Sequence, residues 1–165
     1  MISRILSRAR NWLKDHPTLY RSYLALRGHE VEFPGPHTRM HITGYPRCAN
    51  TSTYFIFRQF IPERRLTSHI HSVADLKIAL RHDVDALVMV RAPLDAISSH
   101  VVKRRNQPEN HHALVSGLDR ANRRLHLDLA ARYYVNYYTF VLQNADRLTL
   151  GSFEKAIHRP VAFVE

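Results

Sequence analysis

Apolar residues recur at helical spacing from the start of the chain. Ile2, Ile5, Leu6, Ala9 and Leu13 are interleaved with Arg4, Arg8, Arg10 and Lys14, so residues 2–15 predict a basic amphipathic helix. Pro17 interrupts it and opens a second short helix that Gly28 closes, with Tyr20, Tyr23 and Leu24 on one side. Pro34-Gly35-Pro36 marks a loop, and Arg39 to Thr43 reads as a strand running into Gly44-Tyr45-Pro46. From Thr51 to Gln59 the pattern is helical again. Ser72 with Asp75 three residues on is a capping-box pattern, which predicts a helix through about Arg81. The short continuous apolar run from Ala86 to Val90 predicts a strand covered on both faces, and Pro93 opens a helix through about Arg104. Residues 106–112 read as a polar loop, residues 120–143 as a long helix and Leu148 to Ser152 as a last strand.

Strands that alternate with helices predict an α/β fold with a mostly parallel sheet flanked by helices. At 165 residues the chain fits one domain. Two N-terminal helices within residues 1–28 would precede a core over residues 39–160, with no repeat, low-complexity stretch or linker to divide it. Hydrophobic residues make up 45% and charged ones 23%, which excludes a disordered tail and predicts a packed core.

Charge narrows the partner. The 24 Lys and Arg outnumber the 14 Asp and Glu, for a formal charge of +10, so a nucleotide, nucleic acid, acidic glycan or membrane surface is expected. The 12 His add positive charge in mild acid. The single cysteine, Cys48, allows no internal disulfide, and no zinc-finger spacing is present, so a reducing compartment and no metal are expected. Arg4, Arg8 and Arg10 cut any signal-peptide core, and no apolar run approaches bilayer length. A cytoplasmic protein without an integral membrane segment is expected.

Two segments carry candidate chemistry. Gly44-Tyr45-Pro46-Arg47-Cys48-Ala49-Asn50-Thr51-Ser52 sits where a Walker loop would, but it lacks the second Gly and the Lys-Ser/Thr pair. What remains is an anion cradle made of turn N–H groups, the Arg47 guanidinium and the hydroxyls of Thr51 and Ser52 at a helix start. Cys48, beside Arg47 and that helix start, stands where a thiol pKa can be depressed. In the second segment, Val88 to Ser99, Arg91 stands at the carboxyl end of a strand with Ser98 and Ser99 two turns into the next helix. Ligands of open α/β sheets bind at that edge. An ordinary strand-to-helix turn with an exposed Arg would account for either string taken alone.

Taken together, the strings resemble a family. Gly44 to Ser52 is similar to the 5′-phosphosulfate loop of sulfotransferases that use 3′-phosphoadenosine 5′-phosphosulfate. Val90 to Ser99 resembles their 3′-phosphate segment, and Leu150-Gly151-Ser152-Phe153-Glu154 resembles their later strand ending in Tyr/Phe-Glu. The resemblance covers residues 39–160 and implies a P-loop-like architecture. It also implies transfer of a sulfuryl group to a hydroxyl or amine acceptor without a metal. It assigns Arg47, Cys48, Ala49, Asn50, Thr51 and Ser52 to the 5′-phosphosulfate, and Arg91 and Ser99 to the 3′-phosphate. Ser68-His69 is similar to the family's Thr-His pair, which makes His69 the expected general base, with His71 as its rival two residues on. The family usually continues past the Phe-Glu pair with segments that close over the nucleotide, so a non-catalytic module that binds nucleotides or sulfated ligands is the second expectation. Nucleic-acid binding, suggested by Arg104-Arg105 and Arg123-Arg124, is disfavoured because aromatics do not interleave with a basic stripe except for Tyr133, Tyr134, Tyr137 and Tyr138, which recur at core-packing spacing.

Overall fold

The computed structural model describes residues 12–26, 28, 32–68, 70–106 and 123–159. The predicted helix over residues 2–15 therefore lies largely outside the described residues, as do His69, residues 107–112 and the side chains of Arg104, Arg105, Arg123 and Arg124.

Four parallel strands form one sheet in the order β2-β1-β3-β4: β1 (Met40–Gly44), β2 (Leu66–Ser68), β3 (Asp85–Val90) and β4 (Thr149–Ser152). Parallel neighbours cannot be joined by a hairpin, so each connection is a crossover that carries a helix. Helix α1 (Pro17–Leu26) precedes the sheet. Helix α2 (Asn50–Phe57) joins β1 to β2, and α3 (Val73–Arg81) joins β2 to β3. Helices α4 (Pro93–Asn106) and α5 (Arg123–Gln143) lie between β3 and β4, and α6 (Phe153–His158) follows β4. The expected mostly parallel α/β sheet is what forms.

Side chains alternate along β3. Ala86 and Val88 join Val73, Leu76, Ala79, Tyr137 and Val141 in one buried cluster, whereas Leu87 and Met89 join Ile42, Leu66, Ala96 and Ala156 in another. A period of two puts these sets on opposite faces, so the sheet is covered on both sides, and that is why β3 reads as an unbroken apolar run. A third cluster packs Tyr20 and Leu24 of α1 against Ile70 and Ala74, which seats α1 beside the segment between β2 and α3.

Local signals explain the boundaries. Ser72 accepts from the Asp75 N–H while Asp75 accepts from the Ser72 N–H, completing the expected capping box. Gly28 takes φ 68°, the left-handed value that lets a chain leave a helix cheaply. Strand β2 and helix α6 have no counterpart in the hydrophobic pattern, being 3 and 6 residues long. Among the described residues no helix is long and apolar enough to cross a membrane.

The topology also positions a site. From β1 the chain crosses to β2 on one side, then returns through α3 to β3 on the other side of β1. At such a switch point the loops leaving the two central strands diverge and open a crevice at their carboxyl ends.

Candidate functional site

The loop leaving β1 is shaped by one close approach and two left-handed residues. A Cβ on Gly44 (φ 153°) would lie 2.6 Å from the Met89 carbonyl oxygen and 2.7 Å from Asn50 Oδ1, so only glycine lets β1 turn this tightly against β3. Arg47 (φ 74°) and Ala49 (φ 65°) are in the left-handed region. Turns of this kind gather successive N–H groups into a concavity that suits an anion. The first turn of α2 contributes further N–H groups that lack intrahelical partners, and its N-cap, Ala49, offers them no side-chain acceptor. The Asn50 side chain, buried, braces the loop: Nδ2 donates to the carbonyls of Gly44 (3.3 Å) and Tyr45 (3.2 Å).

Ala49 holds a conformation that glycine adopts without steric cost. Replacing it, Ala49→Gly, is expected to stabilise the protein by about 0.5–1 kcal/mol, the steric relief less the extra entropy glycine loses on folding. A lower melting temperature in thermal denaturation would contradict the strained geometry.

The second segment converges on this loop. Arg91, just past β3, donates from Nη1 to the Arg47 carbonyl (3.1 Å), and its guanidinium lies 4.1 Å from the centre of the Phe153 ring. Arg91 Nε is buried with no hydrogen-bond partner among the described residues. Arg47 Nε donates to Ser99 Oγ at 3.1 Å, although the two residues are 52 positions apart. All three segments that carry the resemblance therefore meet at one place. Helix α5 secures the end of β3 from the side: the Tyr138 hydroxyl donates to the Met89 carbonyl (2.6 Å) and the Tyr134 hydroxyl to the Arg91 carbonyl (2.9 Å).

A cleft of about 700 Å³ opens over this junction, a volume ordinary for a cofactor-sized ligand. Arg47, Arg91 and Ser99 line it, as do Ala49, Asn50, Thr51 and Ser52 at the start of α2. Lys14 and Lys103 bring the Lys and Arg side chains lining it to four, and no acidic residue is among the described lining residues. The far wall comes from Tyr20, Tyr23 and Leu24 of α1 with Ile70.

Cys48 departs from its expected place. It is fully buried, with Sγ 3.6 Å from the Tyr138 hydroxyl, and it does not line the cleft. Burial pushes its thiol up to about 11, outweighing the Tyr138 hydrogen bond and the nearby Arg91 charge. The depressed pKa that its neighbours in sequence suggest is thus corrected: the Cys48 thiol is buried in the core and its pKa is raised. The four tyrosines of α5 pack as their spacing predicts, with Tyr137 fully buried.

His71 lines the cleft at φ 53°. Its Nδ1 lies 3.1 Å from the Gly44 carbonyl and 3.1 Å from Asn50 Nδ2. The two Asn50 amide hydrogens are directed at carbonyls, and a lone pair facing the Gly44 oxygen would be repelled, so the network assigns the Nδ1–H tautomer to His71. The lone pair then belongs to Nε2, as a general base requires. No sequence signal marked the hydroxyls of Tyr134 and Tyr138 or the packing of Phe153 under Arg91, because a period reports a buried face and not the partner of its polar tip. No family model matches this chain, and neither a curated protein nor a solved structure matches it.

Proposed function

We propose that the cleft binds 3′-phosphoadenosine 5′-phosphosulfate and that the protein is a cytoplasmic sulfotransferase of P-loop-like architecture, acting on a hydroxyl or amine acceptor. One observation carries this reading: two arginines from the loops after two strands meet in a single cleft with no acid among its described lining residues, Arg47 against Ser99 and a buried Arg91 Nε without a partner among the described residues. A buried unpaired donor beside a cation-lined cleft fits an anionic ligand. The resemblance assigns Arg47 and its loop to a 5′-phosphosulfate and Arg91 and Ser99 to a 3′-phosphate, and Arg47, Arg91 and Ser99 all line the one cleft, which fits a nucleotide phosphorylated at both positions.

In this reading the donor supplies an activated sulfuryl group, and the chain supplies position and charge. The bond between sulfur and the bridging phosphate oxygen breaks as the bond between sulfur and the acceptor oxygen or nitrogen forms. Negative charge growing on the 5′-phosphate meets Arg47, the loop N–H groups and the hydroxyls of Thr51 and Ser52. The acceptor proton passes to a histidine. The family pattern gives that role to His69; His71, with its assigned tautomer and its place in the cleft, is supported by geometry. The acceptor would enter along α1, past Tyr23, Leu24 and Lys14.

The test is transfer of labelled sulfuryl groups to a panel of hydroxyl and amine acceptors, combined with nucleotide binding to Arg91→Ala. That variant is expected to bind 3′-phosphoadenosine 5′-phosphate more weakly by about 1.5–3 kcal/mol, the worth of a hydrogen bond to a charged group, with AMP binding nearly unchanged. Equal losses for both nucleotides would remove Arg91 from the 3′-phosphate. Binding without transfer would leave a nucleotide-binding module.

A further inference from the structure

Beneath the cleft lies a buried polar network that sulfuryl transfer as described does not use. His41 and Thr43 share one face of β1, and both are fully buried with Asp75 of α3. A carboxylate removed from water is costly unless its oxygens are satisfied. Here Asp75 Oδ2 accepts from His41 Nε2 (2.8 Å) and Thr43 Oγ1 (3.0 Å), and Oδ1 accepts from the Ser72 N–H (3.0 Å) and Ser72 Oγ (3.2 Å). The network extends in two directions, with His41 Nδ1 2.9 Å from Thr67 Oγ1 and Thr43 Oγ1 3.1 Å from the Tyr137 hydroxyl. Burial alone would raise the Asp75 carboxyl. The His41 hydrogen bond, the Thr43 hydroxyl and, when the rings are protonated, the charges of His41 and His71 hold it below its ordinary range. Burial, with the Asp75 charge, pushes the Tyr137 phenol well up, so it stays protonated and donates to Thr43.

The places where this network touches the chain are informative. Thr67 is in β2, immediately before Ser68, and Ser72 immediately follows His71. Through His41 and Asp75, Thr67 and Ser72 are thus both tied to β1. That strand ends at Gly44, whose carbonyl receives the Nδ1–H of His71. We infer that the buried His41–Asp75 pair is a positioning device: it holds Thr67 and Ser72 and so keeps His71, next to Ser72, seated on the anion loop at Gly44. Apolar side chains would close this face of the sheet equally well. What they would lack is directional bonds to both Thr67 and Ser72. The kinetic part of this inference rests on reading the cleft as a transfer site; the geometric part does not.

The test uses two variants. Asp75→Asn keeps the size of the side chain and an acceptor for the Ser72 N–H but removes the charge, and Thr67→Val cuts only the tether to β2. Imidazole nitrogen spectra of the ligand-free protein at high pH read the His71 tautomer directly. The wild type is expected to hold the Nδ1–H form, and both variants to shift toward the Nε2–H form that unrestrained imidazole prefers. Turnover in the variants is expected to fall by about 10–10²-fold, the cost of a misplaced reacting group, with affinity for 3′-phosphoadenosine 5′-phosphate unchanged within about twofold. Thr67→Val decides the matter if Asp75→Asn does not fold. Unchanged His71 spectra would overturn the clamp. Altered spectra with unchanged turnover would keep the clamp and instead remove His71 from the transfer reaction. If the wild type transfers no sulfuryl group at all, the proposed reaction fails and the spectra still decide the clamp.

Discussion

His71→Ala is expected to lower turnover by about 10²–10⁴-fold, the usual worth of a general base, with nucleotide affinity little altered. An acceptor hydroxyl is a poor nucleophile near neutral pH, so losing the group that takes its proton should fall on the chemical step. In the proposed reaction two features independent of the nucleotide would place the ring for that work. Its Nδ1–H is engaged at the Gly44 carbonyl, 3.1 Å away, which leaves the lone pair on Nε2, and the residue lines the same cleft as Arg47 and Arg91. A base acts in its neutral form, so turnover should fall as pH drops through the pKa of the ring. The control is His69→Ala in the same assay, because the family pattern assigns the base there. A large loss confined to His69→Ala would move the role two residues back, and no loss in either variant would end the histidine mechanism.

Arg47→Ala is expected to cost about 10²–10³-fold in turnover, as removal of a donor aimed at developing charge does, and to weaken product binding by a smaller factor. In the proposed transfer the differential would follow from where the charge grows: the 5′-phosphate would gain it as the bond to sulfur breaks, so the guanidinium would interact more strongly in the transition state than in the ground state. Arg47 is also a structural link between the two motifs, through its Nε on Ser99 and its carbonyl on Arg91. Arg47→Lys keeps the charge without the planar fork and should retain part of the activity. Equal losses in turnover and in product affinity would reduce Arg47 to uniform binding.

The order of strands and helices was legible because each element carried a local signal. Pro17 and Pro93 opened helices, Ser72 with Asp75 capped one, and the apolar run at Ala86 to Val90 marked a strand buried on both faces. The cradle was legible in part for the same reason, since Gly44, Arg47, Thr51 and Ser52 sit at a strand-to-helix turn whose geometry is local. Elsewhere the decisive partners were distant in sequence. Asp75 read as a helix cap, and it is one, but its second oxygen reaches His41, 34 residues away. Cys48 stood beside Arg47 and a helix start that can depress a thiol pKa, whereas its three-dimensional surroundings bury it and raise its pKa. Tyr138 read as core, and its hydroxyl supports the Met89 carbonyl at the end of β3. In each case the local pattern gave the residue's place and could not give its distant partner, because contacts across a sheet depend on strand order.

The central claim is that the cleft reads a nucleotide by its 3′-phosphate as well as its 5′-phosphate, and calorimetric titration of the wild-type protein tests it most directly. With 3′-phosphoadenosine 5′-phosphate and AMP compared in the same buffer, the charged hydrogen bonds expected from Arg91 and Ser99 should favour the first by about 10–10²-fold. ATP, which has no 3′-phosphate, should bind no better than AMP. Equal affinity for the three nucleotides, or a preference for ATP, would contradict the account.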